Sequence, residues 1–172
     1  MPHSSIQTYK SPIGELLLGS HEGQLCLADM RYRRMRTTID KRIQQGLGAK
    51  YIEQSSSIIK ETISQFESYF AGTRREFDIP LRMVGTEFQK SVWEALIQVP
   101  YGTTSTYLAL ARSLGNEKSV RAVASDNGAN AIAILIPCHR IIGSNGELVG
   151  YAGGLPTKKK LLKLENNLFS LV

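Results

Sequence analysis

Four consecutive residues near the C-terminal end, Pro137-Cys138-His139-Arg140, place a thiol next to an imidazole. A cysteine is mostly protonated at neutral pH, and it becomes a strong nucleophile when a neighbouring group takes its proton or stabilises the thiolate. A histidine can do either. Neighbouring side chains of an extended segment point to opposite sides, however, so the dipeptide alone also fits a cysteine and a histidine with no shared function. The sequence therefore makes Cys138 a candidate nucleophile whose activation depends on the rest of the chain.

The other cysteine and histidines show no pattern of a second reactive or metal-binding site. Cys26 lies in an alternating apolar stretch, residues 24–28, where a small buried thiol is the expected role. The three histidines lie far apart, and no Cys-x-x-Cys or His-x-x-x-His spacing surrounds them. We therefore predict no structural metal. Two cysteines allow one disulfide at most, which an intracellular setting would disfavour.

The first half of the chain has the pattern of a domain built from strands and a helix. Segments with the alternation and turn boundaries of strands are residues 6–9, 14–19 and 24–29. The short loops between them predict antiparallel neighbours, and residues 57–70 carry apolar side chains on one helical face. A basic cluster, residues 31–36, and the polar residues up to about Lys50 are typical of a solvated loop or fraying helix rather than a DNA-binding patch. We predict an N-terminal domain over residues 1–80.

The second half has the pattern of a mostly helical domain. Thr86 and Gln89, three residues apart, form a capping box and predict the start of a helix. Further helices are predicted over residues 105–114, 119–126 and 156–166. The first two of these flank a turn at Gly115, which is the layout of a helix-turn-helix. These elements predict a C-terminal domain over residues 86–172 and, together with the N-terminal domain, an α/β fold.

Composition and charge indicate a folded, basic protein. Of the 172 residues, 42% are apolar and 21% are charged, close to the average of globular proteins. The net charge of +6 at pH 7 makes nucleic acid a candidate partner, because lysine and arginine release counterions when they neutralise phosphates. No run of about 18 apolar residues occurs, and the first ten residues are polar. The sequence thus predicts neither a membrane anchor nor a secretory leader.

Several separate motifs around the Cys-His pair resemble the O6-alkylguanine-DNA alkyltransferase family, the methylated-DNA–protein-cysteine methyltransferases. They are Val-Pro-Tyr-Gly at residues 99–102, Arg-Ala-Val at 121–123, Asn130, Ile-Leu-Ile-Pro-Cys-His-Arg-Ile at 134–141, Gly-Tyr-Ala-Gly-Gly at 150–154 and Leu-Glu at 164–165. The motifs occur in the family's order and spacing over residues 86–165. The N-terminal half resembles the family's more variable domain only in outline.

The resemblance implies a role in catalysis for five residues. Cys138 is the implied alkyl acceptor, His139 helps to deprotonate it through a bound water, and Glu165 orients and charges the histidine. Asn130 is implied to tie the recognition helix to the cysteine loop. Tyr107 is implied to donate a hydrogen bond to the flipped guanine, because the leaving base must not depart as a bare anion. Without the resemblance, the pattern would assign Tyr107 to the core and Glu165 to a solvated helix end.

Five further residues are implied to bind the substrate or the DNA. The implied substrate-binding residues are Tyr151, Ala152 and Ile141, with the N–H of Ala152 aimed near guanine O6. Arg121 is implied to enter the base stack where the nucleotide was extruded, and Ser125 lies on the same helix, which would enter the minor groove. Ala152 stands where many relatives carry serine, so we expect the substrate range or the rate to differ.

Three other places leave alternatives open. Ala131 follows Asn130 where proline is frequent in the family, which predicts a less rigid hinge. Asp126 would repel phosphates if it faced the groove. Residues 158–160 are three lysines, and they fit either a contact with the DNA backbone or a solvated helix face.

Four functions agree with these residues to different extents. A stoichiometric alkyltransferase would form one S-alkylcysteine per chain without regeneration. A relative that only binds lesions would lack the acceptor, so Cys138 argues against it. A helix-turn-helix regulator explains the charge and residues 105–126 but none of the other motifs. A hydrolytic cysteine enzyme would require turnover.

The sequence therefore predicts a single-turnover cysteine S-methyltransferase that repairs O6-alkylguanine in double-stranded DNA, with O4-alkylthymine as an open second substrate. No cofactor is needed, because the lesion itself supplies the alkyl group. We expect a monomer with no membrane partner. Its expected location is the cytoplasm, at the nucleoid, in a prokaryote, or the nucleus in a eukaryote.

Overall fold

The computed structural model describes residues 2–166, and the chain divides into two compact units between Gly85 and Thr86. Residues 81–85, which follow the predicted N-terminal domain, belong to the first unit. The main-chain N–H of Leu25 donates to the carbonyl of Pro80, and Arg82 donates back to Leu25. These two hydrogen bonds hold the end of the unit against a strand.

A four-stranded sheet of order β3-β2-β1-β4 forms the centre of the N-terminal unit. Its strands are β1, His3–Ser11; β2, Gly14–His21; β3, Gln24–Met30; and β4, Lys50–Glu53. The pairs β1–β2 and β2–β3 are antiparallel, as predicted from the short loops, whereas β4 pairs parallel with β1. Helix α2, Ser57–Phe70, packs against β2 and β3 and buries Ile59, Phe66 and Tyr69 completely. The predicted antiparallel sheet and helix are confirmed.

Helix α1, Arg36–Leu47, lies where a solvated loop or a fraying helix was predicted; the chain is helical there, but one face of the helix is buried rather than solvated. Ile39 and Ile43 lie four residues apart on one face, and both are buried. Gly48 ends the helix with a φ of 60°, the left-handed conformation that glycine adopts at little cost. Two buried isoleucines therefore stabilise a helix whose remaining residues are polar.

The basic cluster that precedes α1 contains a buried ion pair. The guanidiniums of Arg33 and Arg36 bind the carboxylate of Asp29, which is almost completely buried. Burial raises the pKa of Asp29 even though the two guanidiniums act in the opposite direction. At least two of these arginines therefore serve the fold rather than a solvated surface.

The C-terminal unit is mostly helical, as predicted. Its elements are α3, Glu87–Ile97; β5, Ser105–Thr106; α4, Tyr107–Ser113; α5, Val120–Gly128; β6, Ile141–Ile142; and α6, Leu155–Glu165. The predicted capping box is present, since the side chains of Thr86 and Gln89 exchange hydrogen bonds with each other's main chain. Helix α4 begins two residues later than predicted, because β5 pairs with β6 and Thr106 caps the helix.

The part of the chain that the structure describes contains no helix long and apolar enough to cross a membrane. Within residues 2–166, no group of three or more His, Cys, Asp and Glu side chains could hold a metal ion. Neither Cys26 nor Cys138 is part of a disulfide. Burial raises the pKa of the Cys26 thiol to about 12, so this residue is not a second nucleophile.

Candidate active site

Two tight turns in the segment between α5 and β6 present the candidate nucleophile Cys138. In the first, the N–H of Leu135 donates to the carbonyl of Ala133 at 2.9 Å, and Ile134 between them has a φ of 73°. Such a conformation is strained for a β-branched residue. In the second, the N–H of Cys138 donates to the carbonyl of Ile136 at 2.8 Å. The turns are buried, so the position of the thiol is set by a rigid backbone.

Asn130 closes this segment with its side chain. Its Oδ1 accepts from the N–H of Ile132 at 2.9 Å, and its Nδ2 donates to the carbonyl of Ile136 at 2.9 Å. Asn130 itself is buried just beyond the end of α5. One amide group thus links the end of the helix to both ends of the strained segment, which is the place that the family resemblance implies for it.

His139 and Glu165 meet through a short hydrogen bond in the interior. The Nε2 of His139 lies 2.7 Å from Oε2 of Glu165, and neither side chain is exposed. Burial lowers the pKa of His139, so the imidazole is neutral at pH 7. A neutral imidazole that donates from Nε2 keeps Nδ1 as an acceptor. That Nδ1 is buried and has no hydrogen-bond partner among residues 2–166.

Arg140 completes the charge balance around Glu165, a role that sequence reasoning missed although the residue belongs to a quoted motif. Its Nε and Nη2 donate to the two carboxylate oxygens at 2.7 and 3.0 Å, and its Nη1 donates to the carbonyl of Val99 at 2.7 Å. Burial alone would raise the pKa of Glu165, but the hydrogen bonds and charges of His139 and Arg140 lower it to about 2. The carboxylate is therefore ionised under all ordinary conditions.

Tyr107, the first residue of α4, is half-buried beside the nucleophile. Its hydroxyl donates to the carbonyl of Val149 at 3.3 Å. Burial raises its pKa, a negative charge on Cys138 would raise it further, and a hydrogen bond from Asn127 acts in the opposite direction. The phenol therefore remains protonated at neutral pH and can serve as a hydrogen-bond donor.

The implied substrate-binding residues lie in different surroundings. Ile141 is completely buried, and its main chain pairs with Ser105 in the short β5–β6 ladder. Tyr151 is half-buried, whereas Ala152 is exposed in the turn that precedes α6. The N–H of Gly154 donates to the carbonyl of Tyr151 at 2.9 Å and closes this turn. The structure therefore makes Ile141 part of the core and leaves the turn accessible.

Lys158 is buried, so neither interpretation of the three lysines, a DNA-backbone contact or a solvated face, was right for this residue. Its Nζ donates to the carbonyls of Ile141, Val149 and Gly150. Burial lowers its pKa to about 8, and the nearby Cys138 acts in the opposite direction. Sequence periodicity offered one signal, because Lys158 lies three and four residues before the buried Leu161 and Leu162.

Helix α5 exposes the residues that were expected to touch DNA. Arg121 and Ser125, four residues apart, are exposed, whereas Val123 and Asn127 face the interior. Asp126 is only partly exposed. One face of α5 is thus free to approach a ligand, while the other is fixed in the unit.

The tertiary structure brings the implied catalytic residues together, although they span 59 positions of the sequence from Tyr107 to Glu165. His139 and Glu165 touch directly, and Tyr107 lies within electrostatic range of Cys138. Arg121 and Ser125 lie apart from this cluster, on the exposed face of α5.

Two family profiles match the chain one after the other. Residues 6–83 match the 6-O-methylguanine DNA methyltransferase, ribonuclease-like domain. Residues 87–167 match the 6-O-methylguanine DNA methyltransferase, DNA binding domain. The second match contains every residue that was implied to act in catalysis or binding.

Similar proteins match over nearly their whole length. A methylated-DNA–protein-cysteine methyltransferase of Methanosarcina acetivorans is 44% identical over 160 residues, which cover 92% of this chain and 96% of that protein. One from Mycobacterium leprae is 41% identical over 157 residues, covering 91% and 89%. The crystal structure of Mycobacterium tuberculosis OGT in complex with DNA has a TM-score of 0.80 at 38% identity, and the match covers 96% of this chain and 93% of that one.

Proposed function

Because the chain belongs to the 6-O-methylguanine DNA methyltransferase family, we propose that it repairs DNA by transferring the alkyl group of O6-alkylguanine to Cys138, once per molecule. The buried hydrogen bond between Glu165 and His139, the residue that follows Cys138 in the chain, is the observation that carries the proposal. It supplies a neutral base in a fixed orientation, which a thiol needs to become a nucleophile.

Deprotonation of Cys138 is the first step. Glu165 holds His139 by its Nε2, which leaves Nδ1 to accept the proton through a water, as the family resemblance implies. The carboxylate then stabilises the imidazolium that forms. The positive charge of the nearby Lys158 favours the thiolate over the thiol.

Alkyl transfer is a single displacement. The thiolate of Cys138 forms a bond to the alkyl carbon while the bond between this carbon and guanine O6 breaks, and its electron pair stays on the base. Tyr107, protonated at neutral pH, donates a hydrogen bond to the base and disperses the developing negative charge. The product is a thioether, which water does not cleave, so the acceptor is consumed.

DNA is the partner that this reaction requires, and the complex of the related M. tuberculosis protein with DNA supports it. The exposed face of α5 with Arg121 and Ser125 would enter the minor groove, where Arg121 replaces the extruded nucleotide. All residues assigned to catalysis come from the C-terminal unit of one chain, which is consistent with a monomer. We place the protein where DNA lies, at the nucleoid of a prokaryote or in the nucleus of a eukaryote.

A single-turnover assay tests the proposal, with duplex DNA that carries radiolabelled O6-methylguanine. Wild type and Cys26→Ser should each gain one label per chain, which peptide mass spectrometry locates on Cys138, and Cys138→Ser should gain none. Cys26 is the matched control, because it is a buried thiol with a raised pKa. Tight binding of the lesion without transfer of the label would indicate a protein that only binds lesions. Repeated release of product would indicate a hydrolytic enzyme, and binding to one undamaged sequence would indicate a transcription regulator.

A further inference from the structure

One buried lysine connects three pieces of main chain around the site. The Nζ of Lys158 lies 2.5 Å from the carbonyl oxygen of Ile141, 2.9 Å from that of Val149 and 3.1 Å from that of Gly150. Ile141 follows the turn that contains Cys138, and Val149 and Gly150 begin the segment that leads to the implied base-binding loop. A single side chain thus ties the nucleophile's strand to the start of that loop.

The ammonium group matches these three acceptors in number. A charged lysine has three N–H bonds, and each can be donated to one of the carbonyls of Ile141, Val149 and Gly150. A neutral amine would have only two. Although burial lowers the pKa of Lys158 to about 8, the group is still mostly charged at pH 7. Near neutral pH the full set of three hydrogen bonds is therefore available.

The carbonyl of Val149 is shared between two donors. Lys158 donates to it at 2.9 Å, and the hydroxyl of Tyr107 donates to it at 3.3 Å. A carbonyl oxygen has two lone pairs, so it accepts both. The bond from the ammonium is shorter and charge-assisted, and such bonds are the stronger ones. The hydroxyl of Tyr107 therefore forms the weaker of the two hydrogen bonds to this carbonyl.

We propose that Lys158 is a positioning residue that holds Val149 and its loop in place while the Tyr107 hydroxyl leaves this carbonyl for the guanine. The inference rests on the proposed function, because that function makes Tyr107 a donor to the base. In the absence of the ammonium, the carbonyl of Val149 would be held by the Tyr107 hydroxyl alone. Each time this hydroxyl turned to the base, the loop would lose that hydrogen bond. Lys158 thereby separates two tasks that would otherwise compete for one hydroxyl.

A double-mutant cycle tests this separation through the rate of label transfer at saturating lesion DNA. Lys158→Met, which keeps the length and removes the charge, should slow transfer by roughly tenfold or more, because small displacements of positioning groups cost that much. Tyr107→Phe should slow transfer by a clearly larger factor in the wild type than in Lys158→Met. Lys163→Met, an exposed position on the same helix, should remain within about twofold of the wild type. Equal factors for Tyr107→Phe in both backgrounds would mean that Lys158 acts only through its charge on Cys138 or through the fold, which overturns the proposal.

A second measurement needs no variant of Lys158 and therefore does not depend on that variant folding. If the lysine holds the loop, hydrogen exchange over residues 147–154 should be as slow in Tyr107→Phe as in the wild type. Faster exchange in Tyr107→Phe would overturn the proposal, because the hydrogen bond from the hydroxyl would then be the one that holds the loop. A wild type that transfers its label but fails either test leaves the proposed function intact. A wild type that transfers none refutes the function, and the exchange experiment still reports on Lys158.

Discussion

The guanidinium of Arg140 binds the carboxylate of Glu165 through two hydrogen bonds, from Nε to Oε1 at 2.7 Å and from Nη2 to Oε2 at 3.0 Å. The Nε2 of His139 shares Oε2 with it at 2.7 Å. Because Arg140 is always charged, it neutralises the carboxylate by itself. Burial is the largest cause of the lowered pKa of His139, and the charge of Arg140 acts in the same direction. Arg140 thus helps the imidazole to stay neutral and to keep Nδ1 as an acceptor for the proposed reaction.

Replacing Arg140 by methionine, which is long and uncharged, should destabilise the protein and slow the transfer. The change leaves Glu165 buried without its cation, which costs roughly 3 kcal/mol of the free energy of unfolding. It also favours a positive charge on His139, which then loses its acceptor. Urea unfolding and the single-turnover rate at pH 7 measure both effects. Arg112→Met removes an exposed ion pair with Glu117 and should cost less than about 1 kcal/mol; an equal cost for the two variants would contradict the prediction.

Acid should remove the stabilising effect of Glu165 in a defined range. Burial opposes ionisation, but His139 and Arg140 lower the pKa of this carboxyl from 4.5 to about 2. A group whose pKa is lower in the folded state contributes stability that is fully present above its unfolded value and is lost as the pH falls to the folded value. The difference in unfolding free energy between wild type and Glu165→Gln should therefore be constant above pH 4.5 and shrink between pH 4.5 and about 2. Urea unfolding over this range measures it, and a difference independent of pH would refute the assignment.

Asn130→Ala should weaken both the fold and the transfer. It leaves the buried N–H of Ile132 without its partner, at about 1–3 kcal/mol, and removes one of the two hydrogen bonds to the carbonyl of Ile136, which still accepts from the N–H of Cys138. The strained turn at Ile134 then lacks the hydrogen bonds of the Asn130 side chain that stabilise it, so the position of the nucleophile becomes less defined. Thermal melting and the transfer rate measure these losses. Asn145→Ala, which removes one exposed turn hydrogen bond, is the control and should change neither appreciably.

Arg121→Ala should reduce binding and transfer on lesion DNA with little change in stability, because Arg121 is exposed. Removal of a group that fills the space of the extruded nucleotide should impair extrusion more than it weakens general contact with phosphates. Fluorescence anisotropy with lesion and undamaged duplexes, together with the single-turnover rate, measures this. Lys163→Ala removes the same charge from an exposed site on α6. An equal loss of binding and transfer rate in both variants would mean that Arg121 acts only through its charge.

Local sequence patterns were sufficient for most of the elements. Alternation and short turns predicted the antiparallel strands, and the capping box at Thr86 and Gln89 predicted the start of α3. These features depend on residues that are close together in the chain, so a short window contains the information. The sequence left open whether the segment of α1 is a loop or a helix, since only Ile39 and Ile43 mark its buried face within a polar segment.

The sequence by itself determined the family and identified the candidate nucleophile with its histidine, because the motifs are contiguous and occur at fixed spacings. The tertiary structure alone decided what Lys158 and Arg140 do. In the sequence both are ordinary cations, and the pattern favoured a surface role for the lysine. In the fold both are buried, one against three carbonyls and the other against Glu165. A buried charge persists only where the surrounding chain supplies its partners, and those partners come from positions up to 41 residues away.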